Sequence, residues 1–274
     1  MSKSGPTADI VKYGMVIDLD KCTGCGTCAV ACMTENNVYT LKNETDKVRS
    51  ITWMRVYRLE NGEPYPRARV AYLPRPCMHC DHHTPCVSVC PPTATTKDEI
   101  GGIVSQITTR CIGCRYCMAA CPYHVRYFNW FDPWPLYKEH VEPMTKGLNP
   151  DVAPRMRGVV EKCTFCHHRL MAAKRRAQVD HQREVPEQYY QTACTEACPA
   201  GAITFGDLNN PEHQVHKVLA ERKRDAFRLL EKLGTDPKVY YLSTQEWVHR
   251  QADHYLEDEK KRQHPEKAPS HGHS

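Results

Sequence analysis

Sixteen of the 274 residues are cysteine, and they fall into four groups of four, each ending in a C-x-x-x-C step. The first group is Cys22, Cys25, Cys28 and Cys32; the second is Cys77, Cys80, Cys86 and Cys90, with its middle gap stretched to five residues. The third is Cys111, Cys114, Cys117 and Cys121, and the fourth is split, Cys163 and Cys166 opening it and Cys194 and Cys198 closing it. Thiolates are soft ligands suited to iron-sulfur clusters. Three of them at C-x-x-C-x-x-C wrap one face of an iron-sulfur cube, and small residues such as Gly24, Gly26 and Gly113 let the loop curve tightly around it. The fourth cysteine lies one helical turn on and faces away. In two-cluster ferredoxins that cysteine, followed by proline, ligates the other cluster; Cys90, Cys121 and Cys198 are each followed by proline.

The spacing between groups says which of them pair. Only twenty residues separate Cys90 from Cys111, room for a β-hairpin between two half-motifs and little else. Groups two and three therefore pair, and by exclusion group one pairs with the split group four. The expected ligand sets are Cys22, Cys25, Cys28 with Cys198 (cluster 1) and Cys163, Cys166, Cys194 with Cys32 (cluster 2). Cys77, Cys80, Cys86 with Cys121 form cluster 3, and Cys111, Cys114, Cys117 with Cys90 form cluster 4.

Three other chemistries compete for the same cysteines. Zinc sites use C-x-x-C pairs, but they space the second pair farther away and have no need of triple runs. A disulfide scaffold fares worse, because C-x-x-C neighbours are poor structural bridges and no secretory signal is present. Cys163-Thr-Phe-Cys166-His167 matches the C-x-x-C-H signature of covalent haem attachment. That reading would take two cysteines out of the sixteen and orphan Cys194 and Cys198, so no haem is expected on this chain.

The rest of the chain has to position these loops. Five Phe and four Trp stand beside twenty Pro, and the mean hydropathy is −0.62, so metal binding must supplement a modest apolar core. No apolar run reaches the eighteen residues of a membrane span. The start, "MSKSGPTADIVKYG", lacks an apolar signal core and a twin-arginine pair, so no export address of its own is expected. The formal charge of +5 counts every cysteine as neutral; at roughly −2 per cluster with its thiolates the sum turns mildly negative. Basicity is then no argument for nucleic acid, and no nucleic-acid partner is expected.

Strands read from "GMVIDLDK" and "GGIVSQITTR", and a helical turn is expected near each third cysteine. "ITWMRVYRLENGEPYPRARVAYLP" reads as a hairpin turning at Asn61-Gly62. After Gly206, apolar Val215, Val218, Leu219, Phe227, Leu229, Leu230 and Leu233 suggest one amphipathic helix. The expected class is α+β: two nested ferredoxin-like two-cluster units with a hairpin insertion and a C-terminal helical extension. Residues 13–38 with 158–208 make one unit and 74–128 the other, with a hairpin at 39–73. A docking loop is expected at 129–157, and a helical tail with a disordered end at 209–274.

The four-group pattern, the nested split and the phrases "DLDKCTGCGTCAVAC", "RPCMHC", "CIGCRYCMAACPY" and "EKCTFCHHR" resemble the iron-sulfur subunit of the dimethyl-sulfoxide-reductase and polysulfide-reductase superfamily. The likeness covers roughly residues 13 to 207. "TENN", "WMRVYR" and "CPYHVRYFNW" look most like its menaquinone-reductase (Qrc-type) and alternative-complex-III branch. The resemblance implies an electron-transfer subunit, not catalytic by itself, with four [4Fe-4S] clusters on a double ferredoxin-like fold. Some relatives carry one three-iron cluster by replacing a cysteine. No ligand position departs from Cys here, which leaves a [3Fe-4S] form open only through a labile iron.

The implied partners are a large molybdopterin-oxidoreductase-like subunit, an integral membrane quinone-interacting subunit and, in the menaquinone-reducing branch, a multihaem cytochrome c. The implied place is peripheral on the cytoplasmic membrane, at the periplasmic face by co-export with a partner, with the cytoplasmic face as the alternative. A polysulfide- or DMSO-type reductase subunit and a free-standing polyferredoxin are the competing functions.

Lys21, Arg110, Arg115, Lys162 and Arg169 lie beside cysteines and are candidates for raising cluster potentials, the alternative being ordinary surface charges. His79, His82, His83, His167 and His168 are expected at the surface or an interface, since every cluster already has four thiolates. Trp130, Phe131 and Trp134 make either a docking face or a small local core. The haem question is decided by Cys163→Ala: about a quarter of the bound iron is lost, and the pyridine-haemochrome spectrum shows no haem band before or after the substitution.

Overall fold

The computed structural model describes residues 11–39, 51–130, 132 and 146–251. Phe131, Trp134, about half of the expected docking loop and the end expected to be disordered lie outside them.

The sheet at the centre of the molecule is built around β1 (Tyr13–Asp18), whose six residues are all buried. Its alternation sorts the two faces. Tyr13, Met15 and Ile17 enter the main core with Phe165, Tyr190, Phe205 and Tyr241, while Val16 packs on the other side with Val215 and Leu242. β8 (Ile203–Asp207) pairs antiparallel to β1 from Tyr13↔Asp207 to Ile17↔Ile203. β10 (Val239–Leu242) pairs parallel on the opposite edge, from Met15↔Val239 to Asp18↔Leu242. A two-residue β9 (Ala226–Phe227) finishes the order β8-β1-β10-β9.

This sheet corrects the reading of the C-terminal segment. The helix runs only over Gln214–Glu221. At Arg222 the chain leaves it, because that guanidinium binds Asp18 (2.6 Å), Asp20 (3.0 Å) and Asp225 (2.9 Å). Phe227 then sits in β9 and Leu233 in a short 3-10 turn, and "VYYL" enters the sheet as β10. The helix covers the Val16 face through Val215, Val218 and Leu219. The segment is therefore part of the sheet layer and not a helical appendage.

Three ribbons complete the scaffold. β2 (Arg55–Glu60) and β3 (Val70–Arg75) form the expected hairpin, but the turn is not the two residues Asn61-Gly62. The last pair is Glu60↔Val70, so 61–69 form a wide loop. Asn61 ties it, its Nδ2 donating to Arg67 O (3.0 Å) and its Oδ1 accepting from Arg69 N (2.9 Å). An Asn that spends its side chain on its own loop acts as a clasp, not as the corner of a tight turn. β4 (Thr95–Lys97) and β5 (Val104–Gln106) are the short hairpin between groups two and three. β6 (Tyr127–Phe128) pairs with β7 (Val160–Glu161) and brings the exit of group three to the start of group four.

Each third cysteine stands one residue inside a helical start, as expected: α1 (Thr27–Glu35), α2 (Pro85–Ser88), α3 (Tyr116–Ala119) and α5 (Ala193–Glu196). α4 (His167–Val179) follows Cys166. α1 packs on α5, and α2 on α3. Arg169 on α4 binds Glu35 on α1 with two bonds (2.6 and 2.9 Å) and Glu196 on α5 (2.5 Å). With His168 Nε2 also 2.6 Å from Glu35, the Arg169 contact leads in holding the Glu35 carboxyl down at about 2.

Tyr241 is fully buried and its hydroxyl donates to Pro74 O (3.0 Å), fastening β10 to the end of β3. Tyr241→Ala is expected to cost about 3–5 kcal/mol and Tyr241→Phe about 1 kcal/mol, read as shifts of the denaturation midpoint.

Candidate metal centres

The four third-cysteine turns and the loops before them turn the sixteen thiols toward one another. All sixteen are free thiols and none is disulfide-bonded. Cys22, Cys25, Cys28 and Cys198 line one pocket, floored by Ala202 and Ile203 and capped by Val56 and Pro74 of the hairpin. Cys77, Cys80, Cys86 and Cys121 line a second, with Val104, Val125 and Arg126. Cys32, Cys163, Cys166 and Cys194 are all buried and lie near one another, each of the other three raising the pKa of Cys32 after burial itself. For the fourth set the structure brings Cys111 next to Cys117 in a small core with Val104 and Val160. Cys90 ends the α2 turn, which packs on α3, and Cys114 is exposed.

Backbone N–H groups aim at the sulfurs. Thr95 N donates to Cys90 Sγ (3.3 Å), Ala202 N to Cys198 Sγ (3.3 Å) and Val160 N to Cys111 Sγ (3.4 Å). The Asn36 side chain reaches both Cys32 Sγ (3.8 Å) and Cys166 Sγ (3.9 Å). Donors of this kind stabilise thiolates. Against them stand burial and mutual repulsion. Burial first, then the neighbouring thiols, push Cys28 up to about 11 and Cys80 up to about 12. Burial, with Cys77 next, pushes Cys163 up to about 12. Cys194 is driven well above its ordinary value by burial.

Crowded thiols with backbone donors on their sulfurs fit a polynuclear, positively charged core, which reverses both penalties at once.

Thiols also sense the next set along. Cys28 raises the pKa of Cys32 and Cys194, Cys77 that of Cys163, and Cys86 that of Cys117. The sets therefore stand in the order 1, 2, 3, 4. Exposed thiols occur only at the two ends, Cys25 in set 1 and Cys114 in set 4. Val30, 64 % exposed, lies on the helix after Cys25; Ile112 at 67 % and Tyr116 at 57 % flank Cys114. Trp130 is partly exposed, packs edge-on to Phe128 (4.6 Å) and shares with it the guanidinium of Arg115.

Several side chains named from sequence occupy unexpected places. Lys162 is not a surface charge; it is fully buried and donates to Val104 O and to Cys163 O (2.7 Å). His79 is also fully buried, stacked on Phe165 at 3.7 Å and accepting from Val104 N at Nδ1 (3.1 Å). Burial, followed by Lys162, lowers its pKa well below the usual value, so it is neutral. Its stacking partner Phe165 is itself buried and sits next to Cys166, which carries His79 into the core with it. His82 and His83 are exposed, Lys21 is exposed near Asp18 (3.7 Å), and Arg110 is exposed at the end of its turn.

The profile of the 4Fe-4S dicluster domain family matches residues 68–133, and that of the 4Fe-4S binding domain family matches residues 13–34. The chain is 61 % identical over 253 residues to the menaquinone reductase iron-sulfur cluster-binding subunit of Nitratidesulfovibrio vulgaris, covering 91 % of this chain and 96 % of that protein. The chain belongs to this family of iron-sulfur subunits. Other members include a protein of Halobacterium salinarum named as a dimethyl sulfoxide reductase iron-sulfur subunit, 37 % identical over 91 % of this chain and 88 % of that one. The Hdr-like menaquinol oxidoreductase iron-sulfur subunit 1 of Archaeoglobus fulgidus is 38 % identical over 84 % and 82 %.

Gly113 tests the loop geometry. It has φ +71°, and a Cβ there would lie 2.2 Å from Gly158 O, a backbone atom that cannot swing away. Gly26 has φ +78° but meets nothing within 4 Å. Gly113→Ala is expected to lose bound iron on purification, whereas Gly26→Ala keeps it at a cost of about 1 kcal/mol in stability, measured by iron assay and thermal denaturation.

Proposed function

We propose that the sixteen thiols hold four [4Fe-4S] clusters in the sets 1 to 4, and that the chain relays single electrons along them inside a respiratory oxidoreductase complex. When bound, the clusters supply reversible one-electron storage. The observation that carries this reading is the arrangement of the thiols: two buried sets in the middle and an exposed thiol at each end, Cys25 and Cys114. An insulated interior with two accessible termini suits a conductor between two partners better than a carrier that loads and unloads at one face.

The chain's own residues do the rest. Backbone N–H groups stabilise the thiolates. Tyr190, whose hydroxyl donates to Phe165 O (2.5 Å), together with His79 and Phe165, excludes water from the middle of the row. The antiparallel pairs β1 with β8 and β4 with β5 each join the strand before one triple-cysteine loop to the strand after the partner group's last cysteine. This supports two nested ferredoxin-like units, 13–38 with 158–208 and 74–128.

The partners are a large molybdopterin-oxidoreductase-like subunit or a multihaem cytochrome c on one side and an integral membrane quinone-interacting subunit on the other, with menaquinone as the electron acceptor. Among the described residues no helix is long and apolar enough to cross a membrane, which supports attachment through such a partner, at the periplasmic face or alternatively the cytoplasmic one. The relative named as a dimethyl sulfoxide reductase subunit favours a second reading, an electron-transfer subunit of a small-substrate reductase.

Purification from detergent-solubilised membranes decides between them. The expected result is co-elution with an integral membrane subunit and a multihaem cytochrome c, and roughly sixteen iron and sixteen acid-labile sulfide per chain. A partner carrying active molybdenum establishes the second reading, and recovery as a soluble monomer rejects both.

A further inference from the structure

Arg126 sits in "YHVRYF", one residue before β6, and is 4 % exposed. Its Nη2 donates to Thr95 Oγ1 (2.8 Å) on β4 and to Gln106 Oε1 on β5. Its Nε and Nη1 are buried without any hydrogen-bond partner. No carboxylate among the described residues pairs with it.

The other buried cations are provided for. Arg155 binds Glu161, Lys162 donates to two carbonyls, and Lys238 donates to Gly102 O. A guanidinium has five N–H donors and does not deprotonate in proteins, and a buried charge without a counter-charge is strongly disfavoured. Something must answer Arg126. Arg126 lines the set 3 pocket together with Cys77, Cys80, Cys86 and Cys121. Toward set 4 it holds Thr95 Oγ1, and the backbone N–H of the same Thr95 donates to Cys90 Sγ (3.3 Å).

We infer that Arg126 is a shared counter-charge and N–H···S donor for clusters 3 and 4, and that it raises the reduction potentials of both. This rests on the reading that sets 3 and 4 hold clusters. Each cluster takes up one electron on reduction and gains one negative charge, with no bond made or broken. A fixed positive charge and hydrogen bonds to sulfur favour the reduced form. Arg126 is thus a positioning residue for charge, placed where two clusters share it.

The test is a redox titration followed by electron paramagnetic resonance on the full chain in its complex, comparing wild type, Arg126→Gln and Arg126→Lys at matched iron and sulfide content. Two of four midpoint potentials are expected to shift downward in Arg126→Gln, the other two staying in place, and Arg126→Lys recovers part of the shift because it keeps the charge without the fork. Four unmoved potentials in iron-replete Arg126→Gln overturn the inference and leave Arg126 as a clamp between β4 and β5. If Arg126→Gln fails to retain iron, wild type labelled with [15N]arginine decides: hyperfine coupling of guanidinium nitrogen to two clusters is expected, and its absence overturns the proposal. Wild type lacking acid-labile sulfide is a separate outcome, which removes the cluster reading itself.

Discussion

The structure depends on one electrostatic constraint: sixteen thiols, most of them buried, are crowded together inside a small protein. Without a cationic core their mutual repulsion and desolvation push thiol after thiol above its ordinary range. The surrounding architecture is arranged to make the ionised state tolerable. Loops with positive-φ residues turn N–H groups inward, short helices start beside the third cysteine of each set, and buried cations stand among the thiols. Lys162 lies beside Cys163, and Arg126 lines the pocket of Cys77, Cys80, Cys86 and Cys121. A protein whose apolar content is modest is thereby held together by ligation and by a compact sheet, and loss of either exposes the other.

Buried charge is handled in two ways in this chain. Arg155 and Glu161 form a closed pair, supported by Asn129 Nδ2 on Glu161 (3.1 Å), by Trp53 under the guanidinium and by bonds from Arg155 to Asn36 O and Asn37 O. Burial raises the Glu161 carboxyl even with Arg155 against it, and the pair locks β7 to the chain just after α1. Arg126 has no such partner, and three of its five N–H donors, on Nε and Nη1, remain open. The contrast between a satisfied arginine and an open one, about thirty residues apart in sequence, separates scaffold from function.

Much of the fold was legible because cysteine spacing fixes geometry directly. β1, the short β4–β5 hairpin and the helical start beside each third cysteine follow from local sequence, since each needs only a β-branched run or a turn at a set distance. The C-terminal segment was misread for an equally physical reason. Apolar residues at helical spacing continue through Leu233, but three carboxylates at Arg222 interrupt the helix, and those carboxylates include Asp18 and Asp20 from the far end of the chain. A tertiary contact of that range leaves no local trace. Arg126 left a faint one, a lone cation inside the apolar and aromatic stretch Tyr123 to Phe128, and only the burial of its surroundings gives it meaning. His79, expected at the surface or an interface, and Lys162, read as a potential-tuning cation or a surface charge, were hidden by partners such as Phe165 and Val104 that no spacing rule links to them.

The parallel pairing of β10 with β1 has a consequence for how such a chain comes into being. Val239 cannot meet Met15 until the ribosome has made the more than two hundred residues between them, and Cys198 is likewise far from Cys22. The segment from Cys77 to Cys121 contains its own hairpin and both of its cysteine groups, so its contacts are short in sequence and cheap in loop entropy. Synthesis therefore completes the half of the row made by groups two and three well before the half made by groups one and four, and the earliest cysteines to emerge are among the last to find their neighbours. During that interval the thiols nearest the N-terminus are held by nothing in the chain itself, which makes their protection from oxidation a task for the cell and not for the fold.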